Sequence, residues 1–269
     1  MRVSRLVPII LFSALLFAVP FHAALAVTAS PDLRSASNFA VLSAAPYPPG
    51  GEVTCTTSKI NGDVGSSGIA ASVVQTGCLI TGAIIAPVAP VVLTDFNSAY
   101  GKYAAIPCTG SLKTVYLDET LTLTPGVYCN SAAVTFTRTT LTLDGQGHAN
   151  AVWIFEIGTL GTGALTGTNF SVVMVGGGQP CNVYWWVAQA ATMTDSNFVG
   201  TILAGAAITV TRGTFHGDAL AKAGVTLTGV NLTGCGIGKG PGNGDGECDD
   251  KGDKDKDKGD KDKDKHGNG

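Results

Sequence analysis

From Tyr184 to Leu232 apolar and polar positions alternate, and the alternation itself returns every 17 residues. Ala191-Thr192-Met193-Thr194 falls on Ile208-Thr209-Val210-Thr211 and then on Val225-Thr226-Leu227-Thr228. Phe198 falls on Phe215 and then Leu232, and Thr201-Ile202-Leu203-Ala204 falls on Asp218-Ala219-Leu220-Ala221. A short period with two-residue alternation is the pattern of stacked strand-and-turn coils, a β-helix or solenoid. Each coil then pairs with the next as parallel strands about 4.8 Å apart, with equivalent residues in columns.

Successive residues of a strand face opposite ways. Ala191, Met193, Ile208, Val210, Val225 and Leu227 therefore form the inside. Thr192, Thr194, Thr209, Thr211, Thr226 and Thr228 face solvent in two files. The result is a grid of hydroxyls and methyls without charge, spaced about 6.7 Å along the strand and 4.8 Å across it. Threonine is stiff at χ1, so such a grid is ordered before any ligand arrives.

The alternation continues upstream less regularly, in Thr120–Thr124, Val134–Thr137 and Thr140–Leu143, while Ala151–Ile157 reads as a buried strand and Ser171–Val175 as another, with turn signals at Pro125-Gly126, Asp144-Gly145 and Gly176-Gly177-Gly178. One segment has helical periodicity: Phe96, Ala99, Tyr100 and Tyr103 share a face, with Thr94 as the expected cap and Asp95 in the first turn. The fold expected is mainly β, a right-handed β-helix with one long α-helix packed along the stack.

Composition changes the picture at the two ends. Residues 1–26 have Arg2 and Arg5, an apolar run from Leu6 to Phe21 and the small residues Ala24-Leu25-Ala26, as a secretory signal peptide has. No later segment is apolar for long enough to suggest a membrane span. Residues 239–269 form a Gly, Asp and Lys tail, with eight Asp and seven Lys between Asp249 and Lys265, and read as a disordered, solvated spacer. Its charges nearly cancel, which argues against a nucleic-acid arm. Asp245, Glu247, Asp249 and Asp250 do not have the spacing of a calcium loop. The remainder, 27–238, reads as one domain, and its wealth of Gly, Thr, Ala and Val favours strands.

The seven cysteines suit an oxidising compartment, and no CxxC suggests zinc or thiol exchange. Bridges Cys55–Cys78 and Cys108–Cys129 are expected. Cys181 and Cys235 are expected to remain apart, because 54 residues is close to three coil periods, about 14 Å of stack, beyond a disulfide's reach. An odd count leaves at least one thiol unpaired or joined to another chain. Asn169 and Asn231 begin glycosylation sequons, relevant in a eukaryotic host.

Nothing resembles an active site. Asp144, Glu156, Asp195, Arg212, Asp218 and Lys222 are scattered, and Asp195 and Arg212 share a column as a cross-coil ion pair would. His148 and His216 have no evident acidic or cysteine partner and read as solvated turn residues. No catalysis, cofactor or metal is expected.

Several segments, in order, carry a resemblance: LRSASNFAVLSA, INGDVGSS, LTLTPGVY, LTLDGQG, AVWIFEIGT, CNVYWWV, FVGTILAGAAITV and GDALAKAGVTLTG. Over about Leu33 to Cys235 the chain resembles the microbial secreted ice-binding (antifreeze) family. The resemblance implies a discontinuous right-handed β-solenoid with a helix alongside, and a secreted, monomeric protein that adsorbs to ice and its ordered water through one flat face. The family has no fixed contact motif, so the candidate contacts remain the six threonines of the repeat. The alternative is a cell-surface adhesin or matrix protein that binds a polysaccharide. It would need exposed aromatics, and of the adjacent Trp185 and Trp186 one should face outward from a regular strand.

Overall fold

A computed structural model describes residues 30–45 and 51–236. The segments expected as signal peptide and tail, the acidic residues near Asp245 and Cys248 lie outside these residues. The described chain is a β-solenoid built from parallel strand pairs in two hydrogen-bonded sheets, with one α-helix, Pro90–Tyr103, laid along it. Its cross-section has three walls. One is the nine-stranded sheet, and the other two are successive stretches of the thirteen-stranded sheet.

The repeat's register holds residue for residue. Ala191 pairs with Ile208 and Ile208 with Val225, Phe198 with Phe215 and Phe215 with Leu232, and Ile202 with Ala219. Upstream coils are longer because loops are inserted at the corners. Leu165 pairs with Ala191, and Val134 with Leu165, each at an offset well beyond the repeat's own period.

The stack is not wound in chain order. Phe39–Ser43 pairs with Ala219–Ala221, and Val53–Thr56 pairs with Val225–Thr228, so the first strands sit on the last coil. The helix then carries the chain back along the outside to the far end, where Gly110–Ser111 and Val115–Leu117 open the remaining coils.

Apolar columns fill the interior. Phe136 stacks on Phe170 with ring centroids 4.3 Å apart, Phe155 stacks on Trp185 at 3.9 Å, and Phe198 meets Phe215 at 5.0 Å. Each such pair adds about 0.5–1.5 kcal/mol beyond the area it buries. A second apolar layer lies outside the nine-stranded wall. There Leu42, Leu220, Leu203 and Trp186 meet Val92, Phe96, Ala99 and Tyr103 of the helix. The Tyr100 hydroxyl donates to the Val187 carbonyl and the Tyr103 hydroxyl to the Pro31 carbonyl, which fixes the helix on its wall.

Three expectations are corrected. The helix starts at Pro90, not near Thr94: a proline at the first helical position is preset in φ and has no N–H to leave unpaired. Thr94 is inside the helix and donates to the Pro90 carbonyl, while Asp95 accepts from the Ser35 hydroxyl and amide. Neither tryptophan faces solvent. Trp185 points into the barrel, and Trp186 points out of it but lies under Tyr100, ring centroids 5.3 Å apart.

The third correction concerns cysteine. Cys181 and Cys235 are bonded, with Cα atoms 5.6 Å apart, alongside Cys55–Cys78 and Cys108–Cys129. The three-coil argument fails because the rung of Phe39–Ser43 already occupies the level above Ala219–Ala221. The chain leaves the stack at Gly234, and Cys235 lies back over the corner formed by Thr201 and Asp218. There its N–H donates to the Asp218 carboxylate at 2.8 Å.

Two carboxyls are buried on the outer side of the nine-stranded wall, Glu156 and Asp218. Burial pushes Glu156 up to about 7 and Asp218 up to about 6. Between the ordinary carboxyl range and those values the folded chain holds more protons at these two groups than the unfolded one, so the stability that the two contribute is full below about pH 4 and is lost as pH rises through 6 to 7. Thermal melts from pH 4 to 7.5 should show a falling Tm, and Glu156→Gln and Asp218→Asn should each flatten the fall. An unchanged slope in both variants would contradict this assignment.

Candidate functional site

The threonine files of the repeat lie on a wall that no other described element covers, and they extend beyond the regular coils. Thr192/Thr194, Thr209/Thr211 and Thr226/Thr228 pair in register on successive rungs. Thr54/Thr56 continues the files at one end through its pairing with Thr226/Thr228. Thr166/Thr168 and then Thr135/Thr137 continue them at the other. Twelve threonines thus stand in two files on six consecutive rungs, a strip about 24 Å long at the usual strand spacing.

The flanking rungs are also uncharged. Val74 and Thr76 follow Thr54 and Thr56, and Val115 and Leu117 follow Thr135 and Thr137. Val74, Val115 and Leu117 are exposed, so methyl groups border the strip at both ends.

The file side chains are half-buried by their neighbours above and below. Among the described residues, none of the twelve hydroxyls hydrogen-bonds to the protein, and none is buried without a partner. Each keeps its donor and acceptor capacity for solvent.

The backbone beneath is packed from inside. The residues between the file threonines are Cys55, Leu227, Val210, Met193, Gly167 and Phe136, all packed inward. Their sizes are matched: Gly167 makes room for Met193 and Phe170, since a Cβ there would come within 2.6 Å of the Met193 sulfur.

A sharp corner ends the wall. The residue after the second threonine has a positive φ on every rung: Thr57, Gly229, Arg212, Asp195, Asn169 and Arg138, with Gly77 and Asp118 on the outer rungs. Backbone there is costly for residues other than glycine, by about 1–3 kcal/mol, and is kept because the rungs on either side are hydrogen-bonded. Ser58, Thr139 and Ser196 close the corner by donating to the carbonyls of Thr56, Thr137 and Thr194.

Charges sit on this corner and not in the files. Arg212 donates twice to Asp195, at 2.6 and 2.8 Å, and Arg138 donates twice to Asp118, at 2.5 and 2.8 Å. The guanidinium hydrogen bonds hold both carboxyls below the usual carboxylate range. Asn169 belongs to this exposed column, and Asn231 is exposed on the next wall.

The other walls differ. The nine-stranded one lies under the helix. The outward columns of the third mix Thr120, Thr140, Ser171, Asn197, Thr214, Asn231 and Lys59 in one file with Val173, Val199 and His216 in the next. His148 and His216 are exposed. No catalytic cluster emerges among the described residues: Asp195 is spent on Arg212, and Asp218 accepts from Cys235 and Thr201.

The repeat could not reveal Thr54, Thr56, Thr135, Thr137, Thr166 and Thr168. Their rungs are offset by more than the repeat's period, or are joined to a strand from the opposite end of the domain. A TxT search regardless of spacing finds all three pairs, each flanking one inward residue, Cys55, Phe136 or Gly167, together with Thr120/Thr122 and Thr140/Thr142, which lie on another wall.

The ice-binding-like family model matches residues 50–233. The chain belongs to the ice-binding-like family. It is 37% identical to an ice-binding protein of Nostoc sp. (strain HG1) over 186 residues, 66% of this chain and 63% of that protein. It is 40% identical to ice-binding protein 1 of Shewanella frigidimarina (strain NCIMB 400) over 121 residues, 44% of this chain and 13% of that protein. The chain therefore spans less than two thirds of the length of either relative. Its fold is similar to the crystal structure of an ice-binding protein from the Antarctic ascomycete Antarctomyces psychrotrophicus, with a TM-score of 0.63 and 30% identity over 76% of this chain and 98% of that one. The parallel coils and single helix described above are the β-solenoid of this family.

The inward glycine tests how this member keeps its face flat. Gly167→Val should overfill the space beside Met193 and Phe170 at a cost of about 1–3 kcal/mol. Calorimetry should show Tm falling by roughly 2–10 °C for a domain of this size. A neutral variant would show that the core beneath the files is loosely packed.

Proposed function

We propose that this chain adsorbs to ice through the two threonine files. The observation that carries the reading is the twelve threonines on six consecutive rungs, with every hydroxyl unspent and no charge among them. Relatives and the similar solved structure are described as ice-binding proteins, which supports the same reading.

The physics needs many weak contacts over a rigid plane. Threonine methyls gain by leaving liquid water, and the hydroxyls hydrogen-bond water already placed in lattice order. The ordering cost is small because stiff side chains on hydrogen-bonded rungs are organised beforehand. No covalent chemistry or cofactor enters, and the protein works as a non-enzymatic, single chain. The signal-type segment 1–26 and three disulfides support action outside the cell. The adhesin reading loses its main support with both tryptophans buried.

The test is to replace Thr209 and Thr211 together with Tyr and watch a single ice crystal near its melting point. The double variant should keep the parent's circular dichroism and lose most of the freezing–melting gap and crystal faceting. Thr142→Tyr, on the third wall, should keep both. Parental activity in the double variant would remove the files as the contact surface.

A further inference from the structure

We propose that Cys108 and Cys129, once reduced, form with Glu156 a three-ligand site for a divalent cation of the zinc class. The two sulfurs and a Glu156 carboxylate oxygen already lie within 4.8 Å of one another. Ligand atoms around a tetrahedral zinc with two thiolates and one carboxylate stand about 3.3–3.8 Å apart, so a small side-chain rotation brings the three into range. Such a donor set suits zinc and leaves a fourth position for water.

The fold supplies this geometry. Cys129 and Glu156 are opposite each other on adjacent parallel rungs, at the end of the helix-covered wall. Cys108 arrives from the loop that follows the helix and is exposed, which gives the cation a way in. Between Leu42 and Cys129 the outward column that contains Glu156 otherwise reads Leu220, Leu203 and Trp186, and Ser111 follows Cys129.

Glu156 is the independent observation. It is 2% exposed, and its Oε1 has no hydrogen-bond partner. A leucine there would continue the column and contribute to the helix interface. A buried carboxyl with an unmet oxygen is costly, and the only cysteine pair with a third ligand in reach, among the described residues, is the one beside it. The Cys55–Cys78 and Cys181–Cys235 bridges have no such neighbour among those residues.

The conversion balances with a dithiol reductant. The S–S bond takes two electrons and two protons from the dithiol, which closes to its own disulfide, and two thiols result. The cation then displaces the thiol protons and any proton on the carboxyl into solvent. The end of the stack is tied to the helix loop in both states, by a covalent bridge in one and by a coordinated ion in the other.

The full chain should be treated with limiting dithiol, the opened bridge mapped by alkylation and mass, and Co²⁺ added as an absorbing probe for Zn²⁺. Opening Cys108–Cys129 should leave the circular dichroism intact and yield one equivalent of Co²⁺ with a thiolate charge-transfer band, displaced by Zn²⁺. Glu156→Gln, which keeps the side-chain shape, should weaken binding at least roughly tenfold, and Cys108→Ser with Cys129→Ser should abolish the band. Ice activity of the oxidised Glu156→Gln chain should equal the parent's. The proposal is overturned if the opened chain binds no Co²⁺, if the band survives the double serine change, if Glu156→Gln binds as tightly, or if opening this bridge unfolds the domain.

Discussion

Parallel, in-register hydrogen bonding between rungs is the constraint on which everything else in this molecule depends. A strand paired in parallel without slippage places each side chain directly above its counterpart, and a one-residue slip would turn every threonine inward. The register holds from Val115–Leu117 to Val73–Thr76 along the threonine wall. It survives insertions because the extra residues are confined to corners. It also survives a break in chain order, since the Val53–Thr56 rung meets Val225–Thr228 as closely as any covalent successor would.

The three walls divide the labour. The interior needs apolar columns, and stacked aromatics supply them. The nine-stranded wall presents a second apolar face and is therefore closed by the helix and by the short 3-10 segment Arg34–Asn38. That cover leaves the threonine wall free, and the positive-φ corner keeps Arg138 and Arg212 paired with Asp118 and Asp195 outside the files. An uncharged strip bordered by satisfied charge is the outcome of backbone geometry first and side-chain choice second.

The repeat from Tyr184 to Leu232 was readable because those three coils contain no insertion. Alternation then identified inside and outside, and the column shared by Asp195 and Arg212 foretold their ion pair. Half the threonine strip was hidden. Its rungs come from coils with loops such as Gly158–Ala164, or from the N-terminal segment, whose place on the last coil is a long-range pairing that no local period encodes. The same long-range event misled the cysteine argument: regular stacking was extended past Gly234, where the N-terminal rung had already filled the next level. Trp186 misled in a simpler way, since a residue facing out of a strand is not exposed when a helix lies over it.

In the proposed function, one continuous face assembled from distant parts of the chain meets the ice. Single tyrosine substitutions at Thr54, Thr168 and Thr226, each measured for freezing–melting gap with the fold checked, test it most directly. Comparable losses are expected at all three, although Thr54 and Thr226 come from opposite ends of the domain's sequence and are neighbours only in space. Loss at Thr226 with parental activity at Thr54 and Thr168 would contradict it and confine the contact to the regular repeat.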